Sequence, residues 1–153
     1  MKLFKYLKKD CIFLDFENKE KDLALLKLTR FLKEKGLIRN EKDVYLKLME
    51  RERLQSTAIG KGVAIPHCFS DEIKDLIIII VQSRKGINFN SPDKKPIRLI
   101  FLILGSKDNP SLHLKVLARI ARLIKETEII GRLIHCSNVE DIMRIFEEEE
   151  EKI

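Results

Sequence analysis

Two segments, Leu76–Val81 (LIIIIV) and Ile97–Leu104 (IRLIFLIL), are apolar almost without interruption. A strand with one wet face alternates, so unbroken runs of this length predict central strands covered on both faces. A third, shorter strand is expected over Cys11–Phe16 (CIFLDF), between Asp10 and the polar run from Glu17. Helical spacing appears next: Leu25, Leu28 and Leu32 share a face over residues 20–35, and Gly36 stops the helix. A second helix starts near Glu41 behind an Asn40 N-cap, with Val44, Tyr45, Leu48 and Met49 as its buried stripe.

Gly86, Asn88, Asn90, Ser91, Pro92 and Asp93 mark a loop between the two main strands. Asn109-Pro110 then opens a helix reaching about Lys125, with a cap residue followed by proline at the first helical position. A short helix near 127–134 and a last one after Ser137, with a Ser137…Glu140 capping box, close the chain. No internal repeat or interdomain linker interrupts this order. The pattern predicts a single α/β domain, a mixed sheet of about five strands sandwiched between helical layers.

Length and composition narrow the picture. A chain of 153 residues buries a full core without metals or disulfides. No apolar run approaches the ~18 residues of a membrane span, and MKLFKYLKKD lacks a following cleavage site, so no signal peptide is expected. Three cysteines, Cys11, Cys68 and Cys136, without CxxC spacing read as reduced thiols of a cytoplasmic protein. Net charge is +6; residues 147–152 carry −4 and the remainder +10. Lys, Arg and Glu intermingle along the helices, as on a solvated face, and no clustered basic stripe points to nucleic acid. Abundant Lys, Glu and Ile fit either a thermophilic source or codon bias.

The candidate chemistry lies in Arg51–His67 (RERLQSTAIGKGVAIPH). A histidine that ends a Gly-rich stretch after proline packs poorly and is expected on an exposed loop, where neutral imidazole is a usable nucleophile. Pro66 restricts Ile65 to an extended conformation, and Gly60 and Gly62 permit a tight turn. This run resembles the signature of the phosphotransferase-system EIIA domains of the mannitol/fructose type, a family that includes the nitrogen-regulatory branch. His113, in SLHLKVL, falls at the downstream distance of that family's second active-site histidine. The flanking segments fit in order, so the resemblance covers nearly the whole chain: one EIIA-type 2 domain over 1–153, with 147–153 as an acidic tail.

The resemblance implies a phosphoryl carrier. His67 Nε2 would accept the group from an HPr-like protein and pass it to an EIIB-like partner. In the alternative, its phosphorylation would control binding to regulatory proteins. His113 and Arg51 match positions that stabilise the phosphoryl oxygens. Gly60 and Gly62 would offer close approach and amide donors, and Thr57 either bonds the phosphate or fixes the loop. No organic cofactor, bound metal, nucleic acid or membrane insertion is implied. His135 has no counterpart in the family, and beside Cys136 it lacks metal-ligand spacing. Cys68 replaces the small residue usual after the active histidine, where it would crowd the docking surface or be oxidised.

Four geometric expectations follow. The His67 and His113 rings should approach to roughly 4–7 Å, since hydrogen bonds to phosphoryl oxygens span about 2.6–3.2 Å. The second helix should end, and the helix from Pro110 begin, beside the Gly60–Gly62 turn. One His67 nitrogen should stay open, and His135 should lie elsewhere.

Overall fold

The two apolar runs pair with each other and divide the core. In a computed structural model covering residues 1–153, β5 (Leu76–Ile87) and β6 (Ile97–Ser106) are antiparallel, with Ile77 opposite Leu104 and Val81 opposite Ile100. Successive side chains alternate between faces, so an unbroken apolar strand feeds two cores at once. Ile79, Val81, Ile100, Leu102 and Leu104 meet Leu25, Leu28, Leu32, Val44 and Leu48, carried by α1 (Lys21–Glu34) and α2 (Glu41–Leu54). Ile78, Ile80, Leu99, Phe101 and Ile103 meet Val116, Ile120, Leu123, Ile142 and Phe146 on the other face. Those come from α3 (Pro110–Glu126) and α5 (Val139–Glu150), with the short α4 (Ile129–Ile134) between them. Each fully buried aliphatic side chain contributes about 1.5–3 kcal/mol.

The sheet has six strands rather than about five. β1 (Ile12–Phe13), β2 (Ala58–Gly60), β3 (Val63–Ala64) and β4 (His67–Ser70) complete it. β1 runs parallel to β5, β3 and β4 both run parallel to β6, and β2 closes antiparallel on β3. β3 and β4 therefore lie in line along the same side of β6, broken only at Ile65–Pro66. Two of the six strands, β2 and β3, thus lie in the Gly-rich run read as loop, and β4 starts at its last residue. Tertiary pairing overrides weak local propensity when a strand edge is available.

Other boundaries moved. The first strand keeps only two residues: Lys9–Cys11 form a 3-10 turn before it, and the chain bends at Leu14–Asp15 after it, with Asp15 at φ 49°. α2 continues past Arg51 to Leu54, and β5 extends through Gly86 by a register shift between Gln82 and Ile87. Asn40 and Asn109 cap their helices as expected, accepting from the Asp43 and Leu112 amides, each worth about 1 kcal/mol. The last helix is capped by Asn138, not Ser137: its Oδ1 accepts from the Asp141 amide at 2.8 Å.

The acidic run is not a free tail. Glu147–Glu150 are the last turn of α5, and Glu149 and Glu150 are fully buried. Glu150 accepts from the Leu3 and Phe4 amides and from Arg119 Nε at 3.0 Å, tying both ends of the chain to α3. Glu149 pairs with Arg132 and Lys152. No helix is long and apolar enough to cross a membrane.

Candidate functional site

β4 alternates as a strand must. Cys68 packs into the core beneath α1 and α2, whereas His67 and Phe69 face the α3 side. His67 thus opens a strand, half-buried, rather than riding on an exposed loop. Its register partner is Ile103, and that of Phe69 is Gly105. The His67 Nδ1 lies 2.7 Å from the Ile65 carbonyl. A carbonyl only accepts, so Nδ1 carries a proton, and in the neutral ring the lone pair is on Nε2. This geometry assigns the tautomer and leaves Nε2 as the nucleophilic nitrogen.

His113 sits in the first turn of α3, only 2% exposed. Its ring centroid is 5.6 Å from that of His67 and 4.3 Å from that of Phe69. The two histidines, 46 positions apart in the sequence, meet because β6 turns directly into α3, which folds back over the end of β4. Neither His113 nitrogen has a hydrogen-bond partner in the protein. Burial, and then the neighbouring His67, lowers the His113 pKa from 6.5 to about 4. The ring is therefore neutral near pH 7, offering one N–H donor and one lone pair. Gly105 makes the room: a Cβ there would overlap His113 Nδ1 and lie 3.0 Å from Cγ.

Arg51 lies in the last turn of α2 and Thr57 just beyond it, and α2 packs against β4. Arg51, half-buried in the last turn of α2, donates from Nη1 to the Gln55 carbonyl at 2.8 Å and bonds neither histidine. Thr57 is buried, and its hydroxyl donates to Glu52 Oε2 at 2.6 Å. Of its two expected roles, fixing the loop is the one this geometry displays.

Gly60 and Gly62 do not join the pair. With φ of 92° and 74° they turn the β2–β3 hairpin around Lys61, whose φ is 57°. The Gly62 carbonyl accepts from Arg98 and Leu99. Those residues lie four to five positions along β6 from Ile103, about 13 Å or more at roughly 3.3 Å per residue. The expectation that α2, the glycine turn and α3 converge is corrected accordingly. Because β3 and β4 run in line, the turn and the histidine occupy opposite ends of one extended stretch.

Against known protein families, residues 5–149 match the model described as phosphoenolpyruvate-dependent sugar phosphotransferase system, EIIA 2. The chain belongs to this family. Among curated relatives, the fructose-specific EIIABC component of Bacillus subtilis is 30% identical over 146 residues, covering 95% of this chain but 23% of the relative. A nitrogen regulatory protein of Bradyrhizobium diazoefficiens is 39% identical over 94 residues, 61% of either chain. The chain thus spans under two thirds of the length of these two relatives. Nitrogen regulatory protein IIA-Ntr from Neisseria meningitidis superposes with a TM-score of 0.84 at 31% identity, covering 94% of this chain and 98% of that one.

Within this EIIA 2 fold, Cys68 does not crowd the face that His67 presents. Its thiol points into the opposite core, and burial pushes its pKa up to about 12, which suppresses the reactive thiolate. His135 is exposed at the end of α4, beside carbonyls that Gln82 binds at the Leu99 level of β6. It lies far along the sheet from His67. Sequence reasoning passed over Phe69, Gly105 and Glu52. Gly105 carried a usable signal: a lone glycine inside a strand of large apolar residues marks a close approach.

Proposed function

We propose that this chain is a phosphoryl carrier of a phosphoenolpyruvate-dependent phosphotransferase system, working in the cytoplasm on protein partners. One observation carries the reading. A histidine with Nδ1 committed to a backbone carbonyl offers Nε2 beside a second imidazole, 5.6 Å away, that is buried, neutral and without a partner.

An HPr-like phosphohistidine protein docks over β4. The Nε2 lone pair of His67 forms a bond to phosphorus while the donor's P–N bond breaks, its electron pair returning to the donor ring. No proton has to leave His67, which becomes an imidazolium bearing phosphate on Nε2 and hydrogen on Nδ1. The Ile65 carbonyl faces that charge. His113 donates to a phosphoryl oxygen, and Arg51, swinging off Gln55, supplies the permanent cation. An EIIB-like domain then takes the group. Positioning and electrostatics suffice for such a transfer.

A second reading keeps the acceptance step and changes the use: phosphorylation of His67 controls binding to regulatory proteins. It is favoured by the nitrogen-regulatory names of the 39%-identical relative and of the IIA-Ntr structure. The test of the common step is incubation with phosphoenolpyruvate, enzyme I and HPr, followed by mass spectrometry. Acid-labile phosphate is expected on the wild type and absent from a folded His67→Ala. Undiminished phosphate on the variant overturns the assignment. Transfer onward to an EIIB-like domain separates the two uses.

A further inference from the structure

We propose that Glu52 is a positioning residue for His67, acting through Thr57 and Ile65 to keep the nucleophile's proton on Nδ1. Glu52 is buried near the end of α2, 4% exposed, and touches no reacting atom. Its carboxylate is divided between two donors of one residue: Oε1 accepts from the Thr57 amide at 3.2 Å and Oε2 from the Thr57 hydroxyl at 2.6 Å. Lys21, at the start of α1, stands 3.7 Å from Oε1, with both side chains shielded. A buried carboxylate is costly unless paired and fully bonded. This one holds both the main chain and the side chain of Thr57.

The hold is passed on by hydrogen bonds. The Thr57 carbonyl accepts from the Ile65 amide at 3.1 Å, and beyond Pro66 the Pro66 carbonyl accepts from the Ile103 amide at 3.0 Å. Ile65–Pro66 is therefore pinned at both ends. Proline removes one donor and confines Ile65 to extended geometry. The Ile65 carbonyl, between these anchors, is the acceptor for His67 Nδ1–H at 2.7 Å.

An imidazole released from that carbonyl shares its proton between both nitrogens, and the Nε2–H tautomer has no lone pair on Nε2 with which to attack phosphorus. The same bond stabilises the imidazolium formed after transfer. From that form the phosphoryl group leaves readily, because the ring departs neutral. Glu52 thus supports both acceptance and donation. The rate consequence rests on the phosphocarrier reading; the tautomer does not.

The test uses the full chain labelled with 15N-histidine, whose ring-nitrogen resonances distinguish protonated from unprotonated nitrogen. Unphosphorylated wild type should show Nδ1 protonated and Nε2 bare. Glu52→Gln, which turns one acceptor into a donor facing Thr57, should shift protons toward Nε2. It should also lower the maximal transfer rate from phospho-HPr by about ten-fold or more, leaving the half-saturating donor concentration unchanged. Thr57→Val should move both readouts the same way and Thr57→Ser should restore them; this pair decides the matter if Glu52→Gln does not fold. Folded variants that only melt earlier, with tautomer and maximal rate unchanged, overturn the proposal, as does a wild type protonated on Nε2. The expected tautomers in a chain that accepts no phosphate support the positioning role and count against the phosphocarrier reading.

Discussion

Substituting Gly105 by alanine places a methyl group where the His113 ring now sits. The added Cβ would overlap Nδ1 and lie 3.0 Å from Cγ and 3.2 Å from Cβ of His113. Such contacts settle at about 3.5–4.0 Å, so Cγ must retreat by about half an ångström and Nδ1 by about 1 Å. Its exits are narrow, because His113 is 2% exposed and Phe69 packs against it at 4.3 Å. Overpacking of this kind costs about 1–3 kcal/mol. The functional loss should be larger in proportion, since a misplacement of about 1 Å in a reacting site costs on the order of 10²-fold in rate. Denaturant unfolding reads the first quantity and single-turnover phosphoryl transfer to His67 the second. The Gly105→Ala/His113→Ala double variant removes the overlap, so the two stability costs should be non-additive by about 1–3 kcal/mol. Wild-type stability and rate in Gly105→Ala, or strict additivity in the double variant, would refute the reasoning.

Two further outcomes follow from buried ionisable groups. The folded chain takes a proton on His113 only near pH 4, whereas the unfolded chain takes it near 6.5. Between these values the unfolded state binds more protons, so stability is full above about pH 6.5 and falls with acidification, by up to about 3 kcal/mol near pH 4. His113→Phe should lack this acid limb in pH-dependent unfolding; parallel curves for the two proteins would contradict it. Glu150→Ala strands Arg119 and the Leu3 and Phe4 amides and should cost about 3–5 kcal/mol. A thermal-unfolding change corresponding to less than about 1 kcal/mol would show the clasp to be dispensable.

Much of the fold was legible because its strongest elements are locally overdetermined. The LIIIIV and IRLIFLIL runs, Ile-rich and short, read as strands covered on both faces, and α1, α2 and α3 announce themselves by spacing and by Asn40 and Asn109. The short strands β2, β3 and β4 were illegible for the opposite reason. Two to four residues among glycines and a proline acquire strand geometry only from the neighbour they pair with. The Glu run misled because low complexity looks solvated until Arg119 and Arg132 are seen to wait for it.

The sequence by itself determined the α/β class, the starts of α2 and α3 and, through its resemblance to EIIA domains, the candidates His67 and His113, since periodicity, caps and the Arg51–His67 run are properties of neighbouring residues. Only the tertiary structure decided that His67 Nδ1 bonds the Ile65 carbonyl, that His113 is neutral and without a hydrogen-bond partner, that Thr57 is bonded to Glu52, and that Gly60 and Gly62 stand apart. Each of these depends on a partner brought up by strand register or helix packing. Hydrogen-bond direction and desolvation are set by distances of a few ångströms, and distance between remote residues is not written along the chain.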